Sequence, residues 1–158
     1  MSFVNILLRL IASAFVIWAI MISGYSKVSS FSGSTVSWRP EPVIFSIMWI
    51  IITLILLWII WDINIPDDHA MGSFIKVVWW IIFLAYVSSC AWWIYSYANE
   101  KKDGIAPLIV GIMTSLMLCL IAYSDSRTSI FAVGLIVPLV WSCIALMMNI
   151  EEVRNEEV

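Results

Sequence analysis

The stretch Val77–Ala98 reads VVWWIIFLAYVSSCAWWIYSYA and contains no charged side chain. A helix needs about 20 consecutive, mostly apolar residues to cross the hydrocarbon core of a bilayer, and this stretch reaches that length. A cluster of charged residues follows it at once, in the sequence Asn99–Gly104. The stretch therefore predicts a membrane-spanning helix that ends in a short polar loop.

Four further stretches have the same character. Three carry no charge: Val43–Trp61, Ile105–Ser124 and Thr128–Ile150. The remaining one, Phe3–Ser26, is interrupted by Arg9, which lies near enough to its start for the guanidinium to snorkel to the interface. Its apolar run is too long for a cleaved signal peptide. The sequence predicts an all-α membrane protein, a five-helix bundle that forms a single domain over residues 1–158.

The composition supports the same class. Of the 158 residues, 63% are hydrophobic and 12% charged, and the mean hydropathy is +1.01. An ordinary soluble domain is about 45–50% apolar and about 25% charged, so the expected surroundings are a lipid bilayer. Eight basic residues stand against 11 acidic ones, for a net charge of −3, which argues against nucleic acid as a partner.

The distribution of basic residues near the helix ends predicts the orientation of a multi-pass protein. The side that holds the first loop, the third loop and the C-terminus carries Lys27, Arg39, Lys101, Lys102 and Arg154. The opposite side carries Arg9, Lys76 and Arg127. This excess favours a cytosolic C-terminus, while the kind of membrane stays open. We expect the acidic segment that begins at Glu151 and Glu152 to be a solvated helix end.

The chain contains ten tryptophans, which indicate either an aromatic belt or an aromatic interior. Trp61, Trp79 and Trp80 lie at predicted span ends, where indoles commonly sit at the headgroup level. Trp49 and Trp58 are nine positions apart and so face opposite sides of one helix, which predicts that one of them faces the bundle. A bundle lined by several indoles suits a flat aromatic ligand, but the residues alone favour plain core packing.

Several kinds of chemistry find no support in the sequence. Apart from Arg9, the predicted spans hold no charged residue, which argues against a proton-coupled pump or a carboxylate-lined channel. The single histidine, His69, follows Asp67 and Asp68 in a loop, where we expect solvation rather than a metal site. No nucleophile–histidine set, phosphate-binding loop or dinucleotide motif is present. We predict no catalytic residues, no metal and no resident cofactor.

Small residues recur at four-residue spacing in two predicted spans. They are Ala85 and Ser89 in the third span, and Gly111 and Ser115 in the fourth. Such pairs allow close approach of helices in membranes. They indicate either packing inside one bundle or a homodimer seam on the third helix.

Three segments together resemble the TspO/MBR family of tryptophan-rich sensory and translocator proteins. WRPEPVIFSIMW (Trp38–Trp49) is similar to the family pattern W-x-P-P-x-W-V-F-x-P-V-W, and AWWIYSY (Ala91–Tyr97) to N-x-x-W-x-x-x-F-F, with the family tryptophan at Trp93. WSCIALMMN (Trp141–Asn149) is similar to W-x-x-x-A-x-x-L-N. Span number and loop positions agree along the chain. The departures include Cys90, which stands where the family has asparagine, and the absence of the tyrosine of the sterol-recognition stretch after Asn149.

The resemblance implies a bundle whose pocket opens toward the first loop, at Ser26–Pro42, and is covered by it. It implies a receptor or carrier for porphyrins or other lipophilic, sterol-like small molecules. The ligand-binding positions so implied are Trp38, Arg39, Trp49, Cys90, Trp93, Trp141, Ala145 and Asn149. Trp49, Trp93 and Trp141 would stack on a flat macrocycle, and Arg39 or Lys27 would pair with its carboxylates.

Two other classes of function remain open from the sequence. One is an enzyme that degrades porphyrins through tryptophan radical or photochemical steps, which would leave no acid–base motif to find. The other is a structural or interaction subunit that binds no small molecule. Bulky side chains that fill the bundle interior below the first loop would favour this last class.

Overall fold

The computed structural model describes residues 3–27, 36–62, 73–124 and 128–156. Within these ranges all regular structure is helical, and five helices are long and apolar enough to cross a membrane. The prediction of a multi-pass helical membrane protein is confirmed in this form. The acidic loop around His69 and the basic residue Arg127 lie outside the described residues.

The five spanning helices are named first to fifth in chain order. The first comprises Phe3–Val16, a π-helical turn at Ile17–Ile22 and Ser23–Ser26. The second is Pro42–Asp62 and the third is Ser73–Asn99. The fourth is Ile105–Tyr123, preceded by a 3₁₀ turn at Lys101–Gly104, and the fifth is Ser129–Glu156. The π turn is not foreseen by the sequence; at this turn the Ser23 hydroxyl donates to the Trp18 carbonyl, 3.0 Å away.

The fifth helix continues past the predicted end at Ile150 as far as Glu156. Hydropathy locates the point where charged residues begin, which is not the point where backbone hydrogen bonding stops. Glu151 and Glu152 are therefore helical residues, and the helix fixes the directions of their side chains. This extension shapes the candidate site.

The third helix is the most buried of the five and supplies much of the core. Its apolar residues Phe83 and Val87 are fully buried among the neighbouring helices. Where it meets the fourth helix, a Cβ atom built on Gly111 would lie 3.1 Å from the Ser89 hydroxyl oxygen. These small residues are therefore used for packing within one bundle. A homodimer through the third helix stays a prediction.

The tryptophans at the helix ends do not all behave as a belt. Trp61 is 43% exposed and donates its indole N–H to the Ser13 hydroxyl, 3.0 Å away. Trp79, in contrast, is fully buried and stacks on Phe83 at 5.2 Å between ring centroids. The belt prediction is wrong for Trp79, because the third helix is surrounded by other helices at this level.

Arg9 is shielded from solvent by the protein. Its side chain is buried, and its guanidinium donates to the carbonyls of Ile60 and Trp61, at 2.9 and 2.5 Å. These carbonyls lie in the last turn of the second helix, where the helix dipole is negative and carbonyls lack intrahelical partners. The guanidinium is therefore not free, as the snorkelling prediction assumed, but caps the end of a neighbouring helix.

Candidate functional site

Two small cavities lie near the end of the bundle that holds the fifth helix's C-terminus, the outer one between the second, third and fifth helices and the inner one bordered by the fourth helix as well. The outer cavity is lined by Arg39, Phe45, Trp93, Tyr97, Ala145, Met148, Asn149 and Glu152. The inner cavity is lined by Trp49, Ser89, Cys90, Trp93, Pro107, Leu108, Gly111, Trp141, Ser142 and Ala145. Trp93 and Ala145 border both, so the two cavities are neighbours separated by these side chains.

The structure thus brings together every residue that the resemblance implies for the site, except Trp38. Trp38 is 43% exposed and lies at the rim, where its indole N–H donates to the Glu151 carboxylate, 2.5 Å away. This contact holds the segment before the second helix against the end of the fifth. The predicted cover over the pocket falls largely on residues 28–35, which lie outside the described part of the chain.

Aromatic rings form the walls of both cavities. Trp49 packs against Trp93 with 5.6 Å between ring centroids and 30° between the ring planes. Phe45 meets Trp141 edge to face at 5.0 Å. Such pairs are worth about 0.5–1.5 kcal/mol each beyond the area they bury. Of Trp49 and Trp58 in the second helix, one is predicted to face the bundle. Trp49 does so, since it contacts the buried indole of Trp93.

The interior is closed in this conformation. Each cavity has a volume of about 10 Å³, which is room for one water molecule. Pockets that hold drug-sized ligands have volumes of about 300–1,000 Å³. A porphyrin can therefore enter only if side chains or helices between the two cavities move.

The buried polar atoms that have no hydrogen-bond partner among the described residues include the indole N–H of Trp141, in the wall of the inner cavity, and the Oδ1 atom of Asn149, in the wall of the outer one. Asn149 uses its other amide atom, Nδ2, to donate to the Lys101 carbonyl at 2.6 Å. A buried polar group without a partner costs about 1–3 kcal/mol. Trp141 Nε1 is a hydrogen-bond donor and Asn149 Oδ1 is an acceptor.

Arg39 is bound by the protein's own carboxylate. Its NH1 atom lies 3.0 Å from Oε1 of Glu152, and the two side chains are only 11% and 2% exposed. The hydroxyl of Tyr97 donates to the other oxygen, Oε2, at 2.5 Å. The guanidinium also lies 5.3 Å from the centre of the Phe45 ring, within cation–π range. The cation expected to meet a ligand's carboxylates already has an anionic partner.

Sequence reasoning missed Glu152, Tyr97 and Phe45 as members of this site. The expectation that the acidic segment is solvated is wrong for Glu152, which is buried against Arg39. A signal was available in the spacing, because Ala145, Asn149 and Glu152 follow one another at four and three residues and so share one helical face. The charge ended the predicted span and hid that periodicity.

Gly104 allows three elements to meet at the floor of the outer cavity. A Cβ atom at this position would overlap Asn149 Oδ1 and lie 3.1 Å from Cδ1 of Trp93. Both neighbours are buried and cannot retreat freely. Glycine here lets the turn before the fourth helix touch the third and fifth helices directly.

We expect Gly104→Ala to destabilise the protein by about 1–3 kcal/mol, as overpacking of a dense interior does. Thermal unfolding of the detergent-purified protein measures the effect. Gly24→Ala is the matched control, because the nearest atom to its Cβ, Ile94 Cδ1, would be 4.0 Å away. Equal unfolding temperatures for the two variants would contradict the close approach at Gly104.

The described residues contain no group of three or more histidine, cysteine, aspartate or glutamate side chains placed to hold a metal ion. Cys90 is buried in the wall of the inner cavity and Cys119 is buried elsewhere in the core.

Comparison with protein-family models, with curated proteins and with solved structures finds no match for this chain. The functional assignment therefore depends on the residues and the geometry described above.

Proposed function

We propose that this chain is a membrane receptor or carrier of the TspO/MBR type that binds porphyrins or similar flat, lipophilic molecules. One observation carries the proposal: Trp49 and Trp141 line the inner of two adjoining cavities, and Trp93 lies between the two together with the small Ala145. A flat ring inserted there would exchange indole–indole contacts for indole–ligand contacts of similar strength. The site lies at the end of the bundle that we propose faces the cytosol.

The closed interior requires that binding include an opening step. Movement of the Trp93 ring would join the inner and outer cavities, because it borders both. The ligand would then meet the N–H of Trp141 and the Oδ1 of Asn149, which have no partner among the described residues. Satisfying these two atoms offsets part of the cost of parting the aromatic rings.

The test is a titration of the detergent-purified protein with protoporphyrin IX and with its dimethyl ester, followed by the porphyrin absorption band and by tryptophan quenching. We expect saturable binding, weakened at least about tenfold by Trp93→Leu, a loss of about 1.4 kcal/mol. Trp92→Leu is the matched control, because the neighbouring indole is 49% exposed on the outside of the bundle. Equal binding by the two variants would show that this site is not used.

A structural or interaction subunit is the second candidate, and a specific observation favours it. Bulky rings fill the interior, leaving about 10 Å³ in each cavity, and Arg39 is already paired with Glu152. On this reading the aromatic cluster is plain packing. The same titration separates the two functions, since a structural subunit gives no saturable binding with either porphyrin.

A further inference from the structure

We infer that the site selects uncharged ligands and that Glu152 is the residue that determines this selectivity. The inference rests on the proposed function and narrows it to a ligand class: a flat aromatic molecule without ionised carboxylates, which carries a hydrogen-bond donor and an acceptor. A free dicarboxylic porphyrin is on this account a poorer ligand than its neutral ester.

The geometry of the ion pair is the first argument. Oε1 of Glu152 lies 3.0 Å from NH1 of Arg39, and Oε2 accepts from the Tyr97 hydroxyl. With the Phe45 ring against the guanidinium, Arg39 is surrounded by groups of the protein itself. Glu152 therefore occupies the position on Arg39 that a ligand carboxylate would take.

The local charge balance is the second argument. Arg39 and Glu152 cancel, and Glu151 adds a further carboxylate at the rim, where it accepts from Trp38. Within a poorly hydrated interior, like charges interact far more strongly than in water. A ligand carboxylate in the outer cavity would meet Glu152 without gaining a cation, and like-charge placement of this kind is strongly unfavourable.

Two cavity-wall groups that have no partner among the described residues, the N–H of Trp141 and the Oδ1 atom of Asn149, are neutral. Asn149 Oδ1 can accept one hydrogen bond and Trp141 Nε1 can donate one. A ring system with an N–H and a carbonyl or imine nitrogen would satisfy both without bringing a charge into the bundle. The neutral pair and the occupied cation point to the same ligand class.

The experiment compares two probes with the same ring system, protoporphyrin IX and its dimethyl ester, in which the two ionised propionates of the first are neutral methyl esters in the second. Dissociation constants for both are measured in the same detergent for each variant, and the ratio of diacid to ester is compared. Partition of the probes into micelles is common to all variants, so a change in this ratio reports on the protein. We expect the wild-type protein to bind the ester at least about tenfold more tightly than the diacid.

Glu152→Gln frees Arg39 for the ligand, and we expect the ratio to shift at least about tenfold in favour of the diacid. Arg39→Gln/Glu152→Gln should cancel this gain, because no cation is left to free. Glu151→Gln, which removes only the rim carboxylate and frees no cation, should shift the ratio much less than Glu152→Gln does. Glu152→Asp retains the charge but shortens the side chain, so it should shift the ratio in the same direction by a smaller factor. This variant provides the test if Glu152→Gln does not fold.

The outcomes separate this inference from the proposed function. Binding of both probes, with a ratio that is the same in wild type, Glu152→Gln and Glu152→Asp, would overturn the role of Glu152 while leaving the porphyrin site intact. Tighter wild-type binding of the diacid than of the ester would also overturn it. Failure of both probes to bind to folded wild-type protein would overturn the proposed function, and this inference with it.

Discussion

Arg39→Met is expected to destabilise the folded protein by about 3–5 kcal/mol, the cost of leaving one member of a buried ion pair without the other. Glu152 would then be a carboxylate that is 2% exposed and has lost its cation. Its hydrogen bond from Tyr97 is too little to replace that interaction. The unfolding temperature in detergent, read from loss of helical circular dichroism, measures the change.

The reverse substitution should cost less. In Glu152→Gln the charge left behind belongs to Arg39, whose side chain is 11% exposed and can swing toward solvent at the end of the bundle. The double variant Arg39→Met/Glu152→Met should recover most of the loss, since well-packed apolar residues replace buried ion pairs at little cost. A wild-type unfolding temperature for Arg39→Met would show that the pair contributes nothing.

Arg9→Met is expected to destabilise the protein by about 2–3 kcal/mol. The guanidinium is a charged donor to the carbonyls of Ile60 and Trp61, and its removal leaves those acceptors buried and without this donor. It also removes a cation from the negative end of the second helix. The same thermal unfolding assay measures the loss.

Arg154→Met is the matched control for Arg9, because Arg154 is exposed on the last turns of the fifth helix. We expect this variant to unfold within about 0.5 kcal/mol of wild type, as surface changes do. If Arg9→Met were as stable as Arg154→Met, the capping of the second helix by the first would be wrong.

The helical membrane fold could be predicted from the sequence because a helix that crosses the bilayer needs about 20 consecutive, mostly apolar residues. Uncharged stretches of the required length are conspicuous, and Val77–Ala98 alone predicts the central helix that the structure contains. Hydropathy is blind, however, to what a helix touches on each side. Hydropathy could not show that neighbouring helices bury Trp79, or that Arg9 is buried against a carbonyl of the second helix.

The candidate site was predictable in its aromatic part and not in its charged part. Trp49, Trp93 and Trp141 stand out by residue type, and their helical positions turn them toward one another. Glu152 pairs with a residue more than a hundred positions away, Arg39, and only the packing of the helices reveals that contact. Local patterns carry no information about such a long-range pair.

The closed interior gives the ion pair a place in the proposed binding cycle. Arg39 and Tyr97 hold the end of the fifth helix against the second and third, across the mouth of the outer cavity. A ligand must part this contact or pass beside it to reach Trp93. The ion pair therefore stabilises the closed protein and opposes entry of the ligand. In Glu152→Gln we expect the stability of the folded protein to fall and its affinity for the porphyrin to rise.

The most direct test of the central claim is whether porphyrin stabilises the folded protein. A ligand that binds only the native state raises its stability by about 2.7 kcal/mol at a free concentration of 100 times Kd. We predict that protoporphyrin dimethyl ester raises the unfolding temperature of wild type and of Trp92→Leu by clearly more than that of Trp93→Leu. An unfolding temperature that the porphyrin leaves unchanged in all three proteins would contradict the binding site and favour a structural role.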